Sequence, residues 1–128
     1  MSGLYNLKSG VATMDDIVAP ESSDISTTVQ LLADDGAITI QNGTVILSKA
    51  GASAITLGIP TTAQNGTEIV IVSISAQAHT VTAATIGFNA GNAASDVATF
   101  GGAIADGFTV VAYGGEWYTT ANTNVTLG

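Results

Sequence analysis

Cysteine is absent from the 128-residue chain, which excludes disulfide bonds, a thiolate metal site and a cysteine nucleophile. Arginine is absent as well, and Lys8 and Lys49 are the only basic side chains against ten Asp and Glu, for a net charge of −8. Binding to a phosphate backbone or an anionic membrane surface takes clustered Lys and Arg, so neither nucleic acid nor a membrane is an expected partner. Charged residues of both signs make up only 9% of the chain. Much of the solvated surface therefore falls to Thr, Ser, Asn, Gln, Ala and Gly, as in proteins packed in assemblies. The stretch from Ile69 to Ser95 carries no formal charge, yet Ser73, Ser75, Gln77, His79, Thr80, Thr82 and Thr85 interrupt it too often for a transmembrane helix. Met1 to Pro20 lacks a basic segment followed by a continuous apolar run, so it does not read as a secretory signal.

What is abundant is β-branched. Ile and Val number 23 against 7 Leu, with 18 Thr beside them, an inventory that suits pleated sheet. Short apolar runs at Ala37–Ile40, Thr44–Ser48, Ala54–Leu57, Glu68–Ser75, His79–Ala83, Val97–Phe100, Phe108–Tyr113, Glu116–Thr120 and Asn124–Leu127 read as strands. They are punctuated by Asp35-Gly36, Asn42-Gly43, Asn65-Gly66, Asp106-Gly107 and Gly114-Gly115, dipeptides that tolerate the positive φ of tight turns. Hairpins are expected at Asn42-Gly43 and at Gly114-Gly115. The tetrapeptide Gln41-Asn42-Gly43-Thr44 recurs as Gln64-Asn65-Gly66-Thr67. Two copies fall short of the three or more units of a solenoid, and the repeat reads as reused hairpin chemistry. The expected fold is all-β: a small β-barrel or β-sandwich body over residues 29–128, preceded by an extended N-terminal arm over residues 1–28.

Within the body, Ile69-Val70-Ile71-Val72 is apolar on both faces, as in a central strand covered on each side or one at a subunit interface. His79-Thr80-Val81-Thr82-Ala83 alternates, with His79, Val81 and Ala83 on one face and Thr80 and Thr82 on the other. A chain with few charges, no cysteine and this much apolar sheet is expected to associate with copies of itself.

Catalytic chemistry finds little support. His79 is the only histidine, no Gly-x-Ser-x-Gly elbow accompanies it, and it reads as a packed strand residue. Glu68 and Glu116 sit at strand edges beside turns, where a solvated charge is the simpler explanation than a glycosidase pair. Asp15-Asp16 and Asp34-Asp35 offer oxygens to calcium, but the alternating ligands of an EF-hand are missing. No metal, cofactor or enzymatic activity is expected. Tyr113, Trp117 and Tyr118 cluster around the Gly114-Gly115 turn and offer a stacking platform for sugar, although such clusters more often close a core or a subunit contact. Trp117 is accordingly grouped with Ile69, Val70, Ile71 and Val72 as core or oligomer interface.

The segment Phe108-Thr109-Val110-Val111-Ala112-Tyr113-Gly114-Gly115-Glu116-Trp117-Tyr118 resembles a terminal hairpin found in small phage virion proteins. Asp35-Gly36-Ala37-Ile38-Thr39-Ile40, and Gln64-Asn65-Gly66-Thr67-Glu68-Ile69-Val70-Ile71 ahead of His79-Thr80-Val81-Thr82, add to the likeness, which spans Asp34 to the C-terminus. The family is that of bacteriophage capsid decoration proteins, also called cement or auxiliary head proteins. The resemblance implies a non-enzymatic homotrimer at three-fold positions, made in the host cytoplasm and seated on the outer capsid surface, with the major capsid protein as partner. A head-fibre or tail-fibre domain binding host glycans is the alternative.

The arm lies outside the likeness. Leu4, Leu7, Val11, Met14 and Val18 follow spacings of three and four, while Gly3, Ser9 and Gly10 disfavour an isolated helix. With Tyr5 and Ile17 they are candidate anchors that order on a capsid partner.

Overall fold

The computed structural model describes residues 28–89 and 93–128. Its strands are β1 (Val29–Leu32), β2 (Gly36–Ala37), β3 (Gly43–Leu47), β4 (Ala54–Thr56), β5 (Glu68–Ser73), β6 (Thr80–Thr82), β7 (Val97–Phe100), β8 (Gly107–Tyr113), β9 (Glu116–Thr123) and β10 (Val125–Leu127). Short 3-10 turns cover Thr62–Gln64 and Ala93–Ser95, and among the described residues there is no α-helix. The strands form two mixed five-stranded sheets ordered β9-β8-β5-β3-β1 and β10-β7-β6-β4-β2. The fold is all-β, and neither sheet closes into a barrel.

The chain alternates between the sheets through β6, so β1-β2, β3-β4 and β5-β6 are three successive coils. Within the first sheet β1, β3 and β5 pair in parallel, with Val29 beside Thr44 and Thr44 beside Val70. In the second, β2, β4 and β6 do the same. Parallel neighbours need a long crossover, and here each crossover is the strand donated to the opposite sheet. Antiparallel strands then finish each sheet: β8 and β9 the first, β7 and β10 the second.

This corrects two expectations. Asn42-Gly43 does not turn a hairpin: Gly43 has φ 115° but opens β3, whose neighbours are β1 and β5. The repeated Gln-Asn-Gly-Thr likewise is not hairpin chemistry, because each copy leads into one of two adjacent parallel strands. The three-coil stack exists although its motif appears only twice. Glycine at position 43 is demanded by packing, since a Cβ there would stand 2.2 Å from the Thr28 carbonyl oxygen, the acceptor of the Thr44 N–H. The hairpin at Gly114-Gly115 forms as expected, with Tyr113 opposite Glu116.

One core lies between the sheets. Alternation sends Val45, Leu47, Ile69, Ile71, Phe108, Val110 and Trp117 inward from the first, against Ile55, Val81, Ala98, Phe100 and Val125 from the second. Phe108 is the hub, meeting Phe88 edge-on at 5.3 Å between ring centres and Phe100 at 6.0 Å, the perpendicular arrangement that ring quadrupoles favour.

Candidate assembly surface and the buried histidine

The strand Ile69-Val70-Ile71-Val72 has two different faces. Ile69 and Ile71 are fully buried in the core, whereas Val70 and Val72 point outward. Register places them in continuous rows across the outer face of the first sheet. One row runs Val29, Thr44, Val70, Thr109, Ala121, and the next runs Leu31, Ile46, Val72, Gly107, Thr123. Neither row contains a charge. Val29 and Leu31 are 55% and 61% exposed, at the margin formed by edge strand β1. Toward the opposite margin an open slot of about 160 Å³ is lined by Val70, Val72, Gly107, Thr109, Ala121 and Thr123, among others. Its floor is low because Gly107 cannot carry a side chain: a Cβ would lie 2.5 Å from the Ile71 carbonyl oxygen. Contiguous exposed apolar residues of this kind are candidates for an interaction surface.

Trp117 faces the other way. It is buried, and its indole N–H donates to the Gly58 carbonyl at 2.9 Å. Tyr113 and Tyr118 stand exposed on the outer face, so the three aromatics do not share one stacking plane. Beside Trp117 a cavity of about 220 Å³ is lined by Ile38, Leu57, Thr61 and Gln64 among others. The buried Gln64 side chain accepts from the Thr61 N–H at 3.0 Å and donates to the Gln41 carbonyl at 3.4 Å.

His79 is fully buried and edge-on to Phe100, and it links the turns that follow β3 and β5. Its Nδ1 accepts the Ser53 backbone N–H at 3.0 Å and lies 2.7 Å from Ser53 Oγ, while Nε2 lies 2.8 Å from Ser75 Oγ. A backbone N–H can only donate, so Nδ1 is the unprotonated nitrogen and Nε2 carries the hydrogen toward Ser75. Burial, and secondarily the Lys49 charge, hold the imidazole below its ordinary pKa. A serine beside a histidine is the start of a hydrolase constellation, but Ser53 is only 2% exposed, which seals its hydroxyl from a substrate. Ser53 was not legible as a partner of His79, because sequence offers no signal for contacts across the coils, whereas Ser75 lies only four residues away in the β5–β6 connection.

Asp34 and Asp35, considered above as calcium ligands, hold Lys49 instead, at 3.1 and 3.0 Å. The Asp35 N–H and the Lys49 ammonium lower Asp34; the Ala54 N–H and Lys49 lower Asp35; Asp35 and then Asp34 raise Lys49. Among the described residues no three His, Asp or Glu side chains converge on a metal-sized site. The candidate arm residues Leu4, Tyr5, Leu7, Val11, Met14, Ile17 and Val18 lie outside the described residues. No protein-family model, curated protein or solved structure matches the chain.

Proposed function

We propose that this chain is a non-enzymatic structural protein of a bacteriophage particle, which binds the outer capsid surface as a homotrimer and stabilises the shell. The observation that carries the reading is a pair of adjacent uncharged rows on the outer face of the first sheet, bordered by Glu68 in the next row of β5. A chain with ten acids and two lysines keeps every charge out of two adjacent rows of that face. Such a surface suits a protein that works in multiple packed copies. The β-rich body and the likeness around the terminal hairpin support the same reading. Stabilisation follows from mass action: a protein that binds the assembled shell and not the broken one favours the shell. The glycan-binding alternative retains Tyr113 and Tyr118 but loses Trp117 to the core. The test is to add purified protein to undecorated capsids and follow their heat resistance. Saturable binding that raises the disruption temperature is the expected result, and no binding contradicts the reading.

A further inference from the structure

Ser53 meets one ring nitrogen of His79 with two different atoms. Its backbone N–H donates to Nδ1 at 3.0 Å, and its Oγ lies 2.7 Å from the same Nδ1. A backbone N–H only donates, whereas a hydroxyl donates or accepts. The hydroxyl therefore serves Nδ1 in either charge state of the ring, and the N–H serves only the neutral one. On the far side of the ring Nε2 lies 2.8 Å from Ser75 Oγ, and this nitrogen carries its hydrogen in both charge states. The β5–β6 turn stays fastened to the ring whatever the pH, and only the Ser53 side responds to a proton.

The corner that ends at Ser53 is free to respond. Residues 48–53 join β3 to β4, with Ala50 and Ala52 exposed, and a Cβ on Gly51 would meet nothing within 4 Å, so little packing opposes a local opening. Just past the corner the chain is fastened again, because the Ser53 carbonyl accepts the Thr80 N–H at 2.9 Å and Asp35 accepts the Ala54 N–H at 3.0 Å. Charge near the ring comes from the corner itself: Lys49, bound to Asp34 and Asp35. The β5–β6 turn and β7 contribute no Asp, Glu or Lys, and Asp106, ahead of β8, turns its carboxylate to the Ala103 N–H and to Asn124. Among the described residues no carboxylate is hydrogen-bonded to the imidazole. Burial, and then Lys49, hold the ring below its ordinary pKa, which keeps it neutral at neutral pH. Asp34 and Asp35, themselves lowered, stay ionised on Lys49 while the ring titrates.

We infer that Ser53 and His79 form a one-sided, acid-operated latch: a proton taken from solvent by Nδ1 moves the ring from the Ser53 N–H to the Ser53 hydroxyl and releases corner 48–53 from the third coil, while the core and the β5–β6 turn stay in place. The freed N–H turns to water. This is a local opening, distinct from unfolding of the body.

His79 is the only histidine, so its two ring nitrogens are read without overlap in nitrogen-correlated NMR spectra between about pH 8 and about pH 4. At the upper limit Nδ1 is expected to be bare and Nε2 protonated. As Nδ1 gains its proton, the hydrogen-exchange protection factor of the Ser53 amide is expected to fall by about tenfold or more, while the Thr80 and Val110 amides keep theirs. Ser53→Ala retains the N–H and removes the acceptor for the charged ring, and is expected to move ring protonation to lower pH. An Nδ1 that carries hydrogen at the upper limit, a Ser53 amide still protected beside a protonated ring, or loss of Ser53 and Val110 protection together overturns the inference. So does a Ser53→Ala ring that titrates as in the wild type. Should Ser53→Ala not fold, the exchange pattern of the wild-type protein decides alone.

Discussion

The Nδ1 of His79 accepts the backbone N–H of Ser53 at 3.0 Å, a contact across 26 residues of sequence that only the neutral imidazole can make. Protonating Nδ1 sets a donor against a donor inside the core. The folded protein therefore lowers the histidine pKa while the unfolded chain keeps it near 6.5. Just below pH 6.5 the unfolded state binds more protons, so stability falls with pH until the depressed folded pKa is passed. Asp34 and Asp35, lowered from 3.8, lose their contribution only at more acidic values. Urea midpoints are expected to decline as the pH falls below about 6.5, and His79→Gln is expected to flatten that slope. An equal slope in the variant contradicts the assignment.

Trp117 is expected to behave as a core residue. Trp117→Ala should cost about 3–5 kcal/mol, read from denaturant midpoints. Trp117→Phe keeps the ring but leaves the Gly58 carbonyl without its donor, at a cost of about 1–3 kcal/mol. Glycan arrays probed with wild-type protein are expected to stay blank.

The joint between the first two coils depends on Gly43. Gly43→Ala meets both a positive φ and the Thr28 carbonyl, whereas Gly102→Ala meets a φ of +98° and open space. Replacing glycine at a positive φ costs more than about 1 kcal/mol. The Gly43 variant is expected to lose clearly more than the Gly102 variant by thermal melting. Equal losses would mean that the close approach to Thr28 carries no weight.

These positions also show what a sequence of this kind discloses. Gly114-Gly115 was legible because an antiparallel hairpin is local: two β runs flank two glycines, and Tyr113 meets Glu116. Asn42-Gly43 carries the same local signature, yet its strand pairs in parallel with strands 15 and 26 residues away in register, Val29 with Thr44 and Thr44 with Val70. Turn chemistry alone does not distinguish a reversal from the corner of a coil. β1 was missed as a strand for the same reason, since among the described residues Val29–Leu32 has one neighbour, β3, and it has too few residues for a periodic signal. The alternation of His79–Ala83 and the two-faced run Ile69–Val72 were readable, because period-two patterning is a property of the strand itself. The slot at Gly107 was not, because it arises from backbone approach between neighbouring strands.

The arm is tested by truncation. Deleting residues 1–20 is expected to leave a folded, oligomeric body whose capsid affinity falls by about tenfold or more, equivalent to roughly 1.4 kcal/mol or more. Unchanged occupancy and heat resistance of capsids would assign the contact to the body.

The central claim is most directly tested by a cryo-electron microscopy map of the particle that carries this protein, with its copies counted by quantitative mass spectrometry. The account predicts hundreds of copies arranged as trimers at three-fold positions on the outer surface of the shell. A few copies at a fibre tip, or none on the particle, would contradict it.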